Sequence, residues 1–98
     1  MEILVNHGEQ LVISLKGRLD TVTSVEFQKV VNETEINESL VVIDATELEY
    51  ISSAGLRALL SLKKSLTPQG KQLEIHHLND ICTEVFKVTG FNNILTVK

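Results

Sequence analysis

The chain predicts a mixed α/β fold with the element order β-β-α-β-α-β-α-β, and three observations carry that prediction. Two short apolar stretches near the N-terminus meet at Gly8-Glu9, and the second alternates Leu11, Ile13 and Leu15 with Val12, Ser14 and Lys16. That is the pattern of a hairpin with one buried face. Leu40-Val41-Val42-Ile43 is a continuous apolar run, as expected of a strand covered on both faces or lying centrally in a sheet. Beyond Gly17, helical and strand patterns alternate, which implies crossover connections and parallel neighbours beside the antiparallel hairpin.

The first strand covers Ile3 to Asn6 and the second ends at Gly17. Asp20 or Thr21 caps the first helix, with Glu26 and the apolar set Phe27, Val30 and Val31 behind it; this helix frays near Glu33 to Ile36. The central strand closes at Asp44, and a short polar crossing leads to Ser52. Ser53 to Leu66 is the strongest helical pattern. Leu56, Leu59, Leu60, Leu62 and Leu66 make its apolar face, while Arg57, Ser61, Lys63 and Lys64 face solvent. Lys63 and Lys64 suit the negative end of the dipole, and Pro68 and Gly70 stop the helix. Leu73 and Ile75 mark a further strand. Asn79 or Asp80 caps a third helix with Ile81, Val85 and Val88 at helical spacing; Gly90 ends it. Ile94 to Val97 is a last short strand.

Residues 1–98 form one domain, since this length supports a single modest core and little room for a cofactor-filled cleft. Hydrophobic residues make up 43% of the chain and Trp is absent, so the core is aliphatic. A net charge of −4 argues against nucleic-acid binding, which favours a basic patch. No apolar run approaches the roughly 20 residues of a membrane span, and the N-terminus lacks the pattern of a signal peptide, so membrane insertion is not expected. One cysteine, Cys82, rules out an internal disulfide and suits a reducing cytosol.

The chain lacks GxxxxGK[ST], GxGxxG and GxSxG signatures, and His7, His76 and His77 have no metal-ligand spacing; no cofactor or metal is expected. His76 and His77, adjacent on a strand, are expected to point to opposite faces. Cys82 reads as a small helix residue packing inward. Asp44 reads as a turn acceptor; a receiver-like phosphoacceptor needs further carboxylates at the end of the first strand, where this chain has Asn6-His7-Gly8. The remaining candidate is the Ser52-Ser53-Ala54-Gly55-Leu56 corner. A helix N-terminus has free N–H groups and a positive dipole end, so a serine there is either a cap or a group that tolerates an attached anion.

The chain resembles STAS domains, in particular the bacterial anti-anti-sigma factors, also called anti-sigma factor antagonists. Gly17-Arg18-Leu19-Asp20 is similar to the family's G-x-[LI]-D before the first helix. Val42-Ile43-Asp44 followed by Tyr50-Ile51-Ser52-Ser53-Ala54-Gly55-Leu56 is similar to V-[LIV]-D…[FY]-[IM]-D-S-[ST]-G-L, and Thr89-Gly90-Phe91 to a late [TS]-G-[LF]. The match spans nearly the whole chain. It implies a central mixed sheet with helices packed mainly on one face. It also implies a cytoplasmic binding module, not an enzyme, that in its unphosphorylated form binds an anti-sigma factor kinase and frees a sigma factor. By position the phosphoacceptor is Ser53. The partner-binding residues implied are Asp20, Ser52, Ala54, Gly55, Leu56 and Arg57, and the partners are an anti-sigma factor with serine kinase activity and a PP2C-type phosphatase. Two positions depart from the pattern: Ser52 replaces the usual aspartate and Ala54 the usual second hydroxyl. Two rivals stand beside this reading. One is a STAS module without a sigma-factor role, such as a scaffold or a soluble transport-system subunit. The other is a small phosphotransfer enzyme or carrier in which Asp44 or a histidine accepts phosphate.

Overall fold

The computed structural model describes residues 1–98. β1 (Glu2–Asn6) and β2 (Leu11–Leu19) form the expected antiparallel hairpin, with Ile3 opposite Leu15 and Val5 opposite Ile13. After α1 (Thr21–Glu33), the chain returns through β3 (Leu40–Ile51), α2 (Ser53–Leu66), β4 (Gln72–His76), α3 (Asp80–Thr89) and β5 (Thr96–Val97). The five strands lie side by side in sequence order, and every pair after the hairpin is parallel. Each crossover therefore advances the sheet by one strand.

Strand periodicity sorts the sheet into two faces. Leu11, Ile13 and Leu15, Val41, Ile43 and Ala45, and Leu73 and Ile75 share one core cluster with Phe27 of α1, Leu56, Leu59, Leu62 and Leu66 of α2, and Cys82 and Phe86 of α3. The alternate residues Ser14, Asp44, Glu74 and His76 remain partly exposed, so the helices cover mainly one face. Val42 is the exception on the open face at 3% exposure, which fits the expectation of a central strand covered on both sides. Burying each large aliphatic side chain stabilises the fold by about 1.5–3 kcal/mol, which lets a core of this size work without Trp.

Four expectations are corrected. β2 does not end at Gly17 but continues to Leu19, because Gly17 adopts φ +107° where the ladder with β3 changes register. β3 does not end at Asp44 but runs to Ile51, so the expected polar crossing is strand. Its polarity comes from two bulges: Ser14 pairs with Asp44 but Lys16 with Glu47, and Gly17 pairs with Leu48 but Arg18 with Tyr50. Each shift inserts one extra residue on β3, which breaks the two-residue alternation that sequence reasoning relies on. The inward face of α3 is Cys82 and Phe86, with half-buried Val85 packed beside them; Ile81 is 60% and Val88 72% exposed, so of the expected apolar set only Val85 reaches the core. The last strand shortens to Thr96–Val97 behind a 3₁₀ turn at Phe91–Asn93.

Candidate functional site

The site is built where β2 and β3 hand over to α1 and α2. Their ends are tied together: the Ser52 N–H donates to the Leu19 carbonyl at 2.9 Å. On one side Asp20 is the N-cap of α1. Its Oδ1 accepts from the N–H groups of Val22 and Thr23, both at 3.1 Å, and the Thr23 hydroxyl accepts from the Asp20 N–H at 2.9 Å, closing a capping box. The Thr23 N–H bond, the largest favourable influence, holds the Asp20 carboxyl below its ordinary range, with Arg18 adding attraction. Asp20 is therefore occupied by its own helix and fixes this rim.

Ser52 and Ser53 separate the two readings of the serine corner. Ser52 is the N-cap of α2 by backbone position, yet its side chain makes no cap hydrogen bond. Its hydroxyl is buried and has no hydrogen-bond partner. The first intrahelical bond runs from the Leu56 N–H to the Ser52 carbonyl at 3.0 Å, and the N–H groups of Ser53, Ala54 and Gly55 bond to no backbone or side-chain acceptor. The other two helices each have a side-chain cap, Asp20 for α1 and Asn79 for α3. α2 thus keeps the unused donors and the positive dipole end of a bare helix start. Ser53 occupies its first position, and its side chain is exposed.

The rest of the corner divides into surface and support. Arg57, one turn after Ser53, is exposed and in no ion pair. Ala54 is half-buried. Gly55 and Leu56 are buried, Leu56 at 1% exposure in the core cluster. The Leu56 side chain packs under the helix and supports the corner from below. Gly55 has no room for a Cβ, since the Leu19 backbone passes against it.

Two contributors lay outside the sequence-based candidates. Arg18 and Tyr50 are cross-strand partners beside the corner, the guanidinium 4.5 Å from the ring centroid. This geometry permits a cation–π contact. Asn79 binds two elements at once. Its Oδ1 accepts from the Cys82 N–H at 2.7 Å, capping α3, and its amide donates to the carbonyls of Leu48 at 3.1 Å and Glu49 at 3.3 Å. Those carbonyls belong to the second bulge of β3, directly upstream of Ser52. An asparagine before a helix signals the cap; nothing in the sequence signals the second grip.

The alternative phosphoacceptors lie elsewhere. Asp44 sits in the middle of β3 on the open sheet face, opposite Ser14 and His76, and is not the expected turn acceptor. Its Oδ1 accepts from the Thr46 hydroxyl at 2.6 Å and the Thr46 N–H at 3.0 Å, so it clamps the first bulge. The hydroxyl bond is the main cause of a lowered carboxyl pKa, and His77 and His76 add attraction. His76 pairs with Glu74 at 2.9 Å. His77 lies beyond the strand end at φ +65°, so the two rings do not take opposite faces but meet edge to face, centroids 5.8 Å apart. No group of three His, Cys, Asp or Glu side chains is placed to hold a metal ion, and no helix is long and apolar enough to cross a membrane. Cys82 packs inward, and burial raises its thiol pKa.

Strand order, one-sided helices and the serine rim define an α/β domain of the STAS type. A family model described as "Mlab, STAS domain" matches residues 4–96, and the chain belongs to the STAS domain family. Within that family it is similar to the anti-sigma-B factor antagonist of Listeria monocytogenes, with 27% identity over 99 aligned positions that take in 100% of this chain and 87% of the relative. An anti-sigma factor antagonist from Mycobacterium paratuberculosis superposes with a TM-score of 0.85 at 20% identity, over 98% of this chain and 83% of that one. The Bacillus cell fate determinant SpoIIAA in its phosphorylated form superposes with a TM-score of 0.73 at 15% identity, over 99% and 91%. These two structural likenesses speak for the fold.

Proposed function

We propose that this protein is an anti-sigma factor antagonist, a binding module whose docking surface is switched by phosphorylation of Ser53. Unphosphorylated, the rim around Ser53 binds an anti-sigma factor with serine kinase activity and releases a sigma factor in the cytoplasm. A PP2C-type phosphatase resets the switch. The observation that carries this reading is the setting of Ser53: an exposed hydroxyl at the first position of α2, where three consecutive N–H groups have no acceptor. A phosphoryl group adds about −1.5 to −2 charges at neutral pH. At this helix start the charge meets donors and a favourable dipole, so the fold tolerates it. The switch then acts on the partner, through bulk and charge at the interface. Arg57 on the same side of the helix is available either to an acidic partner patch or to the phosphate itself.

In this account the protein is a kinase substrate and a ligand, not an enzyme. The STAS module without a sigma-factor role is the second reading, favoured by one observation: Ser52 stands where the antagonist pattern has aspartate. Affinity isolation from the native host with wild-type and Ser53→Asp baits separates the two. The antagonist reading expects an anti-sigma factor on the wild-type bait that is depleted on the variant. A scaffold or transport component bound equally by both baits contradicts it.

A further inference from the structure

Two buried hydroxyls in the chain have no hydrogen-bond partner, those of Ser24 and Ser52. An unpaired buried hydroxyl works against folding, so each asks for a reason. Ser24 is enclosed in α1 at 6% exposure. Ser52 differs, because it stands beside Ser53 at the start of α2. Its backbone is held at both ends: its N–H donates to the Leu19 carbonyl, and its carbonyl accepts from the Leu56 N–H. Only χ1 is left to turn, and one step to another staggered position re-aims the hydroxyl. In the usual rotamer of an N-cap serine, the hydroxyl lies among the first N–H groups of the helix. Here it is buried and makes no cap bond, and the N–H groups of Ser53, Ala54 and Gly55 stay unpaired.

We propose that Ser52 is a phosphate-binding residue of the switch: its hydroxyl turns outward and donates to the phosphoryl group on Ser53. This inference rests on the Ser53 reading and deepens it. A serine hydroxyl can accept from a helix N–H and donate to a phosphoryl oxygen at the same time. The phosphoryl oxygen is a charged acceptor, and hydrogen bonds to charged groups are stronger than neutral ones. The modification therefore supplies the partner that the Ser52 hydroxyl lacks in the unmodified chain, and it holds the outward rotamer. The free N–H groups of α2 take the remaining oxygens. The departure from the antagonist pattern at position 52 then has a physical consequence. Aspartate offers only acceptors and would set a like charge beside the phosphoryl group, whereas serine offers a donor. The phosphorylated form is thus stabilised within the chain, before any partner is met.

Phosphoserine incorporated at position 53 of the full chain during translation supplies the modified protein without a kinase. Phosphorus NMR then reads the second pKa of the phosphoryl group, ordinarily about 6. Thermal melts read the stability of the modified and unmodified chains. Ser52→Ala should raise that pKa by about half a pH unit, because a donor to the dianion is lost, and Ser52→Asp should raise it further by like charge. In the unmodified chain Ser52→Ala should melt within about 1 °C of wild type or above it, since it removes an unpaired hydroxyl. In the phosphorylated chain it should melt about 4 °C or more below wild type. A pKa unchanged by Ser52→Ala overturns the proposal. So does an equal loss of stability in both forms, which would make Ser52 an ordinary helix cap. These readouts need no kinase, so a failure of the Ser53 reading appears in phosphorylation by the cognate kinase, and a failure of the Ser52 assignment appears here.

Discussion

Leu19 and Gly55 meet backbone to backbone: a Cβ placed on Gly55 would stand 2.7 Å from the Leu19 carbonyl oxygen and 2.8 Å from Ile51 Cγ1. The same carbonyl accepts the Ser52 N–H, so the end of β2 and the start of α2 are joined within one turn. On propensity alone, Gly55→Ala should favour the helix by roughly 1 kcal/mol. Here the added methyl meets a backbone oxygen that is itself hydrogen-bonded and cannot swing aside. Gly55→Ala is expected to destabilise the fold by about 1–3 kcal/mol, the usual scale for overpacking. Urea denaturation measures this; a variant equal to or more stable than wild type contradicts the packing account.

Asp44 gives the acid limb of stability a specific origin. Its folded pKa is lowered, chiefly by the Thr46 hydroxyl. A depressed carboxylate contributes stability that is fully present above the unfolded pKa of about 3.9 and is lost as pH falls through the folded value. Asp44→Asn keeps an acceptor for Thr46 but removes the titration. The urea midpoint of wild type should fall more steeply than that of Asp44→Asn below about pH 4. Asp20, Glu38 and Glu74 also titrate low, so the variant keeps part of the slope. Identical slopes would remove Asp44 from the account.

Asn79 should be separable into its two grips. Asn79→Ala loses the α3 cap and the bonds to the β3 bulge and should cost about 1–2 kcal/mol. Asn79→Asp keeps the cap acceptor but sets a carboxylate oxygen against the Leu48 and Glu49 carbonyls, so it should recover only part of that loss. Equal destabilisation by both variants would assign the effect to the bulge contacts; full recovery by Asn79→Asp would assign it to the cap.

The fold was largely legible because it rests on periodicity. Alternation along β2, the apolar run at Val41 to Ile43 and the leucine face of α2 each report which side is buried. What stayed hidden was irregular. The bulges in β3 disguised Ala45–Tyr50 as a loop, because an inserted residue reverses the inside–outside pattern. On α3 the apolar spacing selected Ile81 and Val88, which are exposed, along with Val85, which packs on the core; the small Cys82 and the single Phe86 mark the inner face weakly. At the site, the motif located Ser53 at the helix start. The failure of Ser52 to cap could not be read, since serine is a preferred cap and only geometry shows its hydroxyl turned away from the N–H groups. The second grip of Asn79 joins residues some 30 positions apart in sequence, beyond any local signal.

A charged group at position 53 should act on binding and leave folding intact. Ser53→Asp places a carboxylate at the first position of a helix with no side-chain cap, where it is neutral or stabilising by a few tenths to 1 kcal/mol. Its thermal midpoint should match or slightly exceed that of wild type. Binding to the anti-sigma partner, measured by calorimetry, should weaken by about 1–3 kcal/mol. Lost stability with undiminished binding would reverse this assignment.

The central claim is that Ser53 itself accepts the phosphate. Incubation with the cognate anti-sigma kinase and ATP, followed by mass-spectrometric mapping, tests it most directly. The account predicts a single phosphoryl group on Ser53, acid-stable as a phosphoserine, and no modification of Ser53→Ala. Phosphate on Ser52 alone, or full phosphorylation of Ser53→Ala, would contradict it.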